Sequence, residues 1–135
     1  MLLCLEDTFV VGVECYFDSV SPDDRFGVSF EDNGETGYFY AILMKPEQNL
    51  VDGLHIYNVA DVSDGHIPSN IKIAWTDDGN VASLLLNNYC HAVFDFNKKA
   101  GYCRNGFPPN RSGWARIIER SLTDDMFGLI FKNYK

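Results

Sequence analysis

Four side chains between positions 91 and 104 have the chemistry of a proton-transfer or anion-binding site: His91, Asp95, Tyr102 and Arg104. An imidazole, a carboxylate, a phenol and a guanidinium can together move a proton or hold an anion. Strand periodicity places all four on the outward side of a hairpin that turns at Lys98-Lys99. In that register Phe94 faces Cys103 and Phe96 faces Gly101 on the inward side, while Asp95 and Arg104 are diagonal neighbours within reach of a bidentate ion pair. The plainer account is a salt bridge and a tyrosine covering a sheet, because Cys90 and Cys103 point away and leave no nucleophile beside His91. No catalytic residue is therefore assigned.

A second group lies at 30–41, Phe-Glu-Asp-Asn-Gly-Glu-Thr-Gly-Tyr-Phe-Tyr-Ala. Asn33-Gly34 suits a type I′ hairpin turn, in which both central residues need positive φ. That turn pairs Phe30 with Gly37, Val28 with Phe39 and Phe26 with Ala41. It sets Asp32 against Glu35, two like charges that need an offset. A hard cation would supply one, but the segment lacks the twelve-residue calcium loop, and a solvated turn is the simpler reading. The same register puts Glu31, Ser29, Thr36, Tyr38 and Tyr40 on the outer face. The candidate binding residues are thus Glu31, Asp32, Glu35, Tyr38, Tyr40, His91, Asp95, Tyr102 and Arg104.

These positions need a β scaffold, and strand signals dominate the chain. Apolar, β-branched runs at 8–17, 25–31, 36–44, 53–59, 70–76, 81–86, 90–96 and 101–105 alternate with Gly, Asn, Asp and Pro clusters. A hairpin at Asp78-Gly79 pairs Ile71 with Leu86, Ile73 with Leu84 and Trp75 with Ala82. A three-residue loop at Asn87–Tyr89 then aligns Leu84, Leu86, Cys90, Ala92, Phe94 and Phe96 on one face, where a two-residue loop would throw Phe94 and Phe96 outward. The result is an antiparallel meander from Ile71 to Arg104. Trp114–Glu119 reads as a strand. Residues 121–132 read as a short helix capped by Ser121 or Thr123, although Gly128 and Leu129-Ile130-Phe131 also suit a strand. The expected fold is one mainly β domain, an antiparallel meander curling into a sandwich or open barrel, with a short C-terminal helix.

The chain has 135 residues and a net charge of −8. That length supports one domain with its own core, and the charge argues against nucleic-acid and anionic-membrane partners. Charge is also unevenly spread: residues 1–97 carry sixteen acids and three bases, residues 98–135 eight bases and three acids. Either the basic tail folds back on the acidic body, or an acidic face is left for a basic partner. Met1–Asp7 lacks the basic segment of a signal peptide, no run is long enough to span a bilayer, and the expected location is cytoplasmic. Cys4, Cys15, Cys90 and Cys103 have no metal-ligand spacing and read as small buried hydrophobes. His55 and His66 stand alone, and no metal or cofactor is expected.

Three strings, 30–41, His-Ala-Val-Phe-Asp-Phe at 91–96 and Tyr-Cys-Arg-Asn-Gly-Phe-Pro-Pro at 102–109, resemble an uncharacterised family of small bacterial proteins, a domain-of-unknown-function family. The likeness spans residues 10–114 and implies a bacterial single-domain protein without assigning an activity. Small acidic domains of this kind also resemble immunity proteins, which neutralise basic toxins with an acidic surface. The functional expectation is a non-enzymatic acidic binding protein that recognises a basic protein partner. The rival is a small-molecule binder or enzyme using the Asp95/Arg104/Tyr102/His91 face, and a third reading is a homodimer paired through sheet edges.

Overall fold

The computed structural model describes residues 2–109, 114 and 120–131, with backbone alone for 129–131. Two antiparallel sheets face each other, as expected for a sandwich. The first has strand order β1-β6-β7-β8-β9, formed by Leu2–Phe9, Ser69–Trp75, Val81–Leu86, Tyr89–Asp95 and Ala100–Cys103. The second has order β2-β3-β4-β5, formed by Cys15–Val20, Phe26–Asp32, Thr36–Leu43 and Asn49–Asn58. Neither sheet closes into a barrel. A 3₁₀ turn at Val59–Asp61 follows β5, and one helix, α1, spans Asp124–Phe131.

The single strand expected at 8–17 is two. β1 ends at Phe9 beside β6, the chain turns through Gly12 at φ 88°, and β2 begins the other sheet. Apolar content alone cannot mark a strand that changes sheets; the positive φ at Gly12 does.

The Asp78-Gly79 hairpin has the expected register. Two others differ from expectation by two residues. In the first, Phe30 pairs with Phe39, Val28 with Ala41 and Asp32 with Gly37. Gly34 has φ 95°, and neither Asn33 nor Glu35 shares its sign, so the turn centres on Gly34-Glu35 in the type II′ manner. Asn33 Oδ1 holds it by accepting from the N–H groups of Glu35 and Thr36 at 2.9 Å each. In the third hairpin Ala92 pairs with Cys103 and Phe94 with Gly101, with Asn97-Lys98 at the centre. A slip of two leaves every side chain on its face, so the inward and outward assignments survive both corrections.

The link between β7 and β8 satisfies both demands by a different route. Asn87 and Asn88 have φ 52° and 66°, a two-residue type I′ turn pairing Leu86 with Tyr89 and Leu85 with Cys90. A β-bulge then shifts the register so that Leu84 pairs with Ala92 and Ala82 with Phe94. Phe94 stays inward, but Cys90 moves to the outer face with Leu85.

The core lies between the sheets. Phe30, Phe39, Val28 and Leu54 from the second sheet meet Ile71, Ile73, Trp75, Leu84 and Phe94 from the first, each no more than 1% exposed. Each large side chain contributes about 1.5–3 kcal/mol by burial. The rings interlock across the interface: Phe39 stacks on Phe94 at 5.2 Å and Phe26 on Phe96 at 4.4 Å. Trp114 stands edge-on to Phe94 and Phe96; the rest of the strand expected at 114–119 lies outside the described residues. Gly101 is required here, because a Cβ would sit 2.6 Å from the Phe94 ring and 3.0 Å from Asp52 Oδ2.

The tail is helical from Asp124, and Thr123 is its cap: Thr123 Oγ1 accepts from Met126 N–H at 3.1 Å. Before it, Ser121 makes a parallel bridge to Cys103, covering the edge of β9. Arg120 enters the sandwich there. It is 2% exposed, donates from Nη2 to Asp52 Oδ2 at 2.8 Å and from Nε to the Gly101 carbonyl at 3.2 Å. Burial raises the Asp52 carboxyl above its ordinary value, opposed by the adjacent guanidinium. The pair ties β5, β9 and the tail, so one tail base does fold back on the acidic body. Arg120→Ala should destabilise the protein by about 3–5 kcal/mol in urea unfolding, by stranding a buried carboxylate. Converting both Asp52 and Arg120 to apolar residues should recover most of that loss.

Candidate functional site

The two sheets differ in their outer faces. The first sheet's is covered over β7–β9, where Val81, Leu85, Cys90, Val93 and Tyr102 pack against Leu122, Met126 and Phe127 of the tail, while β1 at its other edge is mostly exposed. The second sheet's has no covering element among the described residues. Its outward positions form rows across the strands, Tyr16–Glu31–Tyr38–His55 and Asp18–Ser29–Tyr40–Gly53.

The group at 91–104 belongs to the covered face, and the structure separates its proposed pair. Asp95 lies opposite Ala100, while Arg104 N–H bonds the His91 carbonyl four residues away. The expected diagonal contact depended on the slipped register. Asp95 is 7% exposed and accepts from Lys98 N–H at 3.1 Å, closing its own hairpin. Arg104 donates to the carbonyls of Cys90 (2.9 Å) and Leu122 (3.2 Å) and to Asp124 Oδ1 (2.9 Å), with its guanidinium over the Tyr89 ring. It fastens the bulge to the start of the helix. Tyr102 is half-buried, and burial, then the Asp95 charge, raises its hydroxyl. Burial also pushes the Cys90 thiol up to about 12, far from a reactive thiolate.

Burial, with the Arg104 charge adding, lowers His91 to about 4 from 6.5. Between those values the unfolded chain binds more protons than the native one, so stability rises with pH across the window and is lost as pH falls through it. His91→Gln should flatten that slope in unfolding experiments at a series of pH values. An NMR titration of His91 with its midpoint near 6.5 would contradict the assignment.

The acids at the first turn are not opposed. Glu35 is exposed at the tip, whereas Asp32 faces inward at 1% exposure and pairs with Gly37. Asp32 accepts from Gly12 N–H and Gly34 N–H at 2.8 Å each and from the Tyr57 hydroxyl at 2.6 Å. Tyr57 lies one strand further away and reaches it by crossing Gly37, where a Cβ would be 2.6 Å from its ring. Burial and the Asp32 carboxylate raise the Tyr57 hydroxyl strongly, so it stays a donor. These bonds form a clamp joining the β1–β2 crossing to β3 and β5. Among the described residues no group of His, Cys, Asp and Glu is arranged to hold a metal ion. Tyr57→Phe should cost about 1–3 kcal/mol on thermal unfolding, because it removes one donor from a buried carboxylate.

Glu31, Tyr38 and Tyr40 do project from the open face, as expected, and Thr36 lies at its margin opposite Asn58. The Tyr38 and Tyr40 rings stack at 5.8 Å. Tyr40 leans over Gly53, whose missing side chain lets the ring lie 3.1 Å from the Cβ position. Burial, then the Glu31 charge, raises the Tyr40 hydroxyl. Two connected depressions flank Tyr16 and Glu31. One of about 600 Å³ is bordered by Glu14, Cys15 and Asn33; the other, of about 510 Å³, by Asp18, Ser29, Tyr40, Ile42 and Leu50. Tyr16 is 69% and Leu50 58% exposed.

Tyr16, Asp18, Ile42, Leu50 and His55 were not among the sequence candidates. His55 is held on both nitrogens, Nε2 to Asn58 Oδ1 at 2.9 Å and Nδ1 to Asn105 Nδ2 at 2.7 Å, and stands edge-on to Tyr38 and Phe107. The Phe107 carbonyl accepts from His55 N–H, so the Phe-Pro-Pro segment seals the β5 edge. The alternation Tyr16, Asp18 and Val20 was the available signal, hidden by the merged strand at 8–17. Of the cysteines, Cys90 and Cys103 are buried, Cys15 is half-buried and Cys4 is exposed, so Cys4 departs from expectation.

No helix among the described residues is long and apolar enough to cross a membrane. No solved structure matches the chain. A protein of Haemophilus influenzae described as "Uncharacterized protein" is 45% identical over 108 residues, covering 78% of this chain and 67% of that relative. Residues 9–131, from the end of β1 to the end of α1, match the bacterial family "Uncharacterized protein conserved in bacteria (DUF2251)", and the chain belongs to that family.

Proposed function

We propose that the protein is a non-enzymatic binding protein whose open β2–β5 face receives a basic protein partner. One observation carries this reading: a sheet face with no covering element among the described residues joins exposed Tyr16 and Leu50 and half-buried Tyr38 and Tyr40 to the carboxylates of Asp18 and Glu31, with no base in ion-pair reach of either among those residues. Aromatic side chains supply contact area at low entropic cost, and surrounding carboxylates steer a cationic partner and weaken with salt. In kind this is immunity-like, an acidic surface that neutralises a basic protein. The covered face supports no second reading, since Arg104 and Asp95 are engaged in fastening the tail and closing a hairpin.

The test is capture of partners by the tagged chain from its source bacterium, at low and high salt, beside an Asp18→Asn/Glu31→Gln variant. A basic protein should be retained at low salt, with association slowed on the order of tenfold by added salt or by the variant. Retention indifferent to both, or no basic partner at low salt, would sink the proposal.

A further inference from the structure

The open face is not flat. The outward residues of β3 are Gly27, Ser29 and Glu31, small, small and then charged, between larger residues on both neighbouring strands. On one side stand Tyr16 and Asp18; on the other Tyr40 leans away over Gly53, and Ile42 and Leu50 continue the wall. Met44 packs 3.0 Å from the Cβ position of Gly27, the next outward position of β3 beyond Ser29. The result is a trough over Ser29 of about 510 Å³, lined by Tyr16, Asp18, Tyr40, Ile42 and Leu50 and bordered by the Glu31 carboxylate.

We infer that this trough is a subsite for one arginine side chain of the partner, its aliphatic stem between Tyr16 and Ile42 and its guanidinium between the Tyr40 ring and the carboxylates of Asp18 and Glu31. The inference rests on the proposed binding function and names the chemistry that the face selects. A long side chain with an apolar stem and a cationic head matches a trough with apolar walls and an acidic rim. A guanidinium matches it better than an ammonium, because it can stack flat on a tyrosine while forking to a carboxylate. Neither carboxylate has a competing base among the described residues.

The full chain, isotopically labelled, is titrated with a polyarginine peptide, a polylysine peptide and a citrulline peptide of equal length. Amide shifts should concentrate at Tyr16, Ser29, Glu31 and Tyr40, with arginine binding tightest and citrulline not at all. Ser29→Leu fills the trough without changing charge and should weaken arginine binding about tenfold, the scale of one desolvated stacked cation. Glu31→Gln should weaken it and flatten its salt dependence. Arginine binding that ignores Ser29→Leu, or shifts that fall elsewhere, would overturn the subsite and leave the acidic-surface proposal standing. Failure of both cationic peptides to bind at low salt would overturn the subsite, while the partner capture described above decides the broader proposal separately.

Discussion

The two sheets meet through a layer that must stay apolar, and this constraint governs every strand. A strand can slide by two residues without penalty to that layer, because the same side chains still face inward; a slide by one reverses them all. Hence the hairpins at Gly34-Glu35 and Asn97-Lys98 differ from the simplest pairing by two. Hence also the bulge after Asn87-Asn88, which restores Phe94 to the core when the favoured tight turn alone would expel it.

Several polar groups in this layer join distant parts of the chain through hydrogen bonds. Ser19 Oγ accepts from Trp75 Nε1 at 3.0 Å between the sheets. Asp32 gathers the first crossing, the first turn and β5; Asp52 and Arg120 gather β5, β9 and the tail. An unsatisfied carboxylate in such a place is costly, so each acid specifies its partners strongly. Arg25 works similarly at the surface, linking Asp23 near β3 to the Asp78 carbonyl and Asn80 of the other sheet.

The same logic divides structure from function. The outer face of β7–β9 is covered by the tail, where Arg104 fastens the start of the helix while Asp95 closes its own hairpin. The outer face of the second has tyrosines, aliphatics and acids with no covering element among the described residues. Glycines 27 and 53 shape it by omission, one making room for Met44 and one for the Tyr40 ring. Residues that resemble a catalytic group thus make bonds within the fold, while an inconspicuous run of alternating residues lines the outer face of the other sheet.

Alternation in the sequence was enough to determine the strand class, the meander from Ile71 to Arg104, the inward residues other than Cys90, and the outward placement of Glu31, Tyr38 and Tyr40. These follow from a period of two, a local property of the chain. It could not determine which turn residue would carry the positive φ, because Asn33-Gly34 and Gly34-Glu35 bury the same faces. Nor could it show that 8–17 changes sheets, that Asp32 turns inward or that Asp52 meets Arg120 across 68 positions. Those depend on which groups are close in space once both sheets are assembled. Only the tertiary structure could decide that the tail covers β7–β9 and that, among the described residues, nothing covers the outer face of the second sheet.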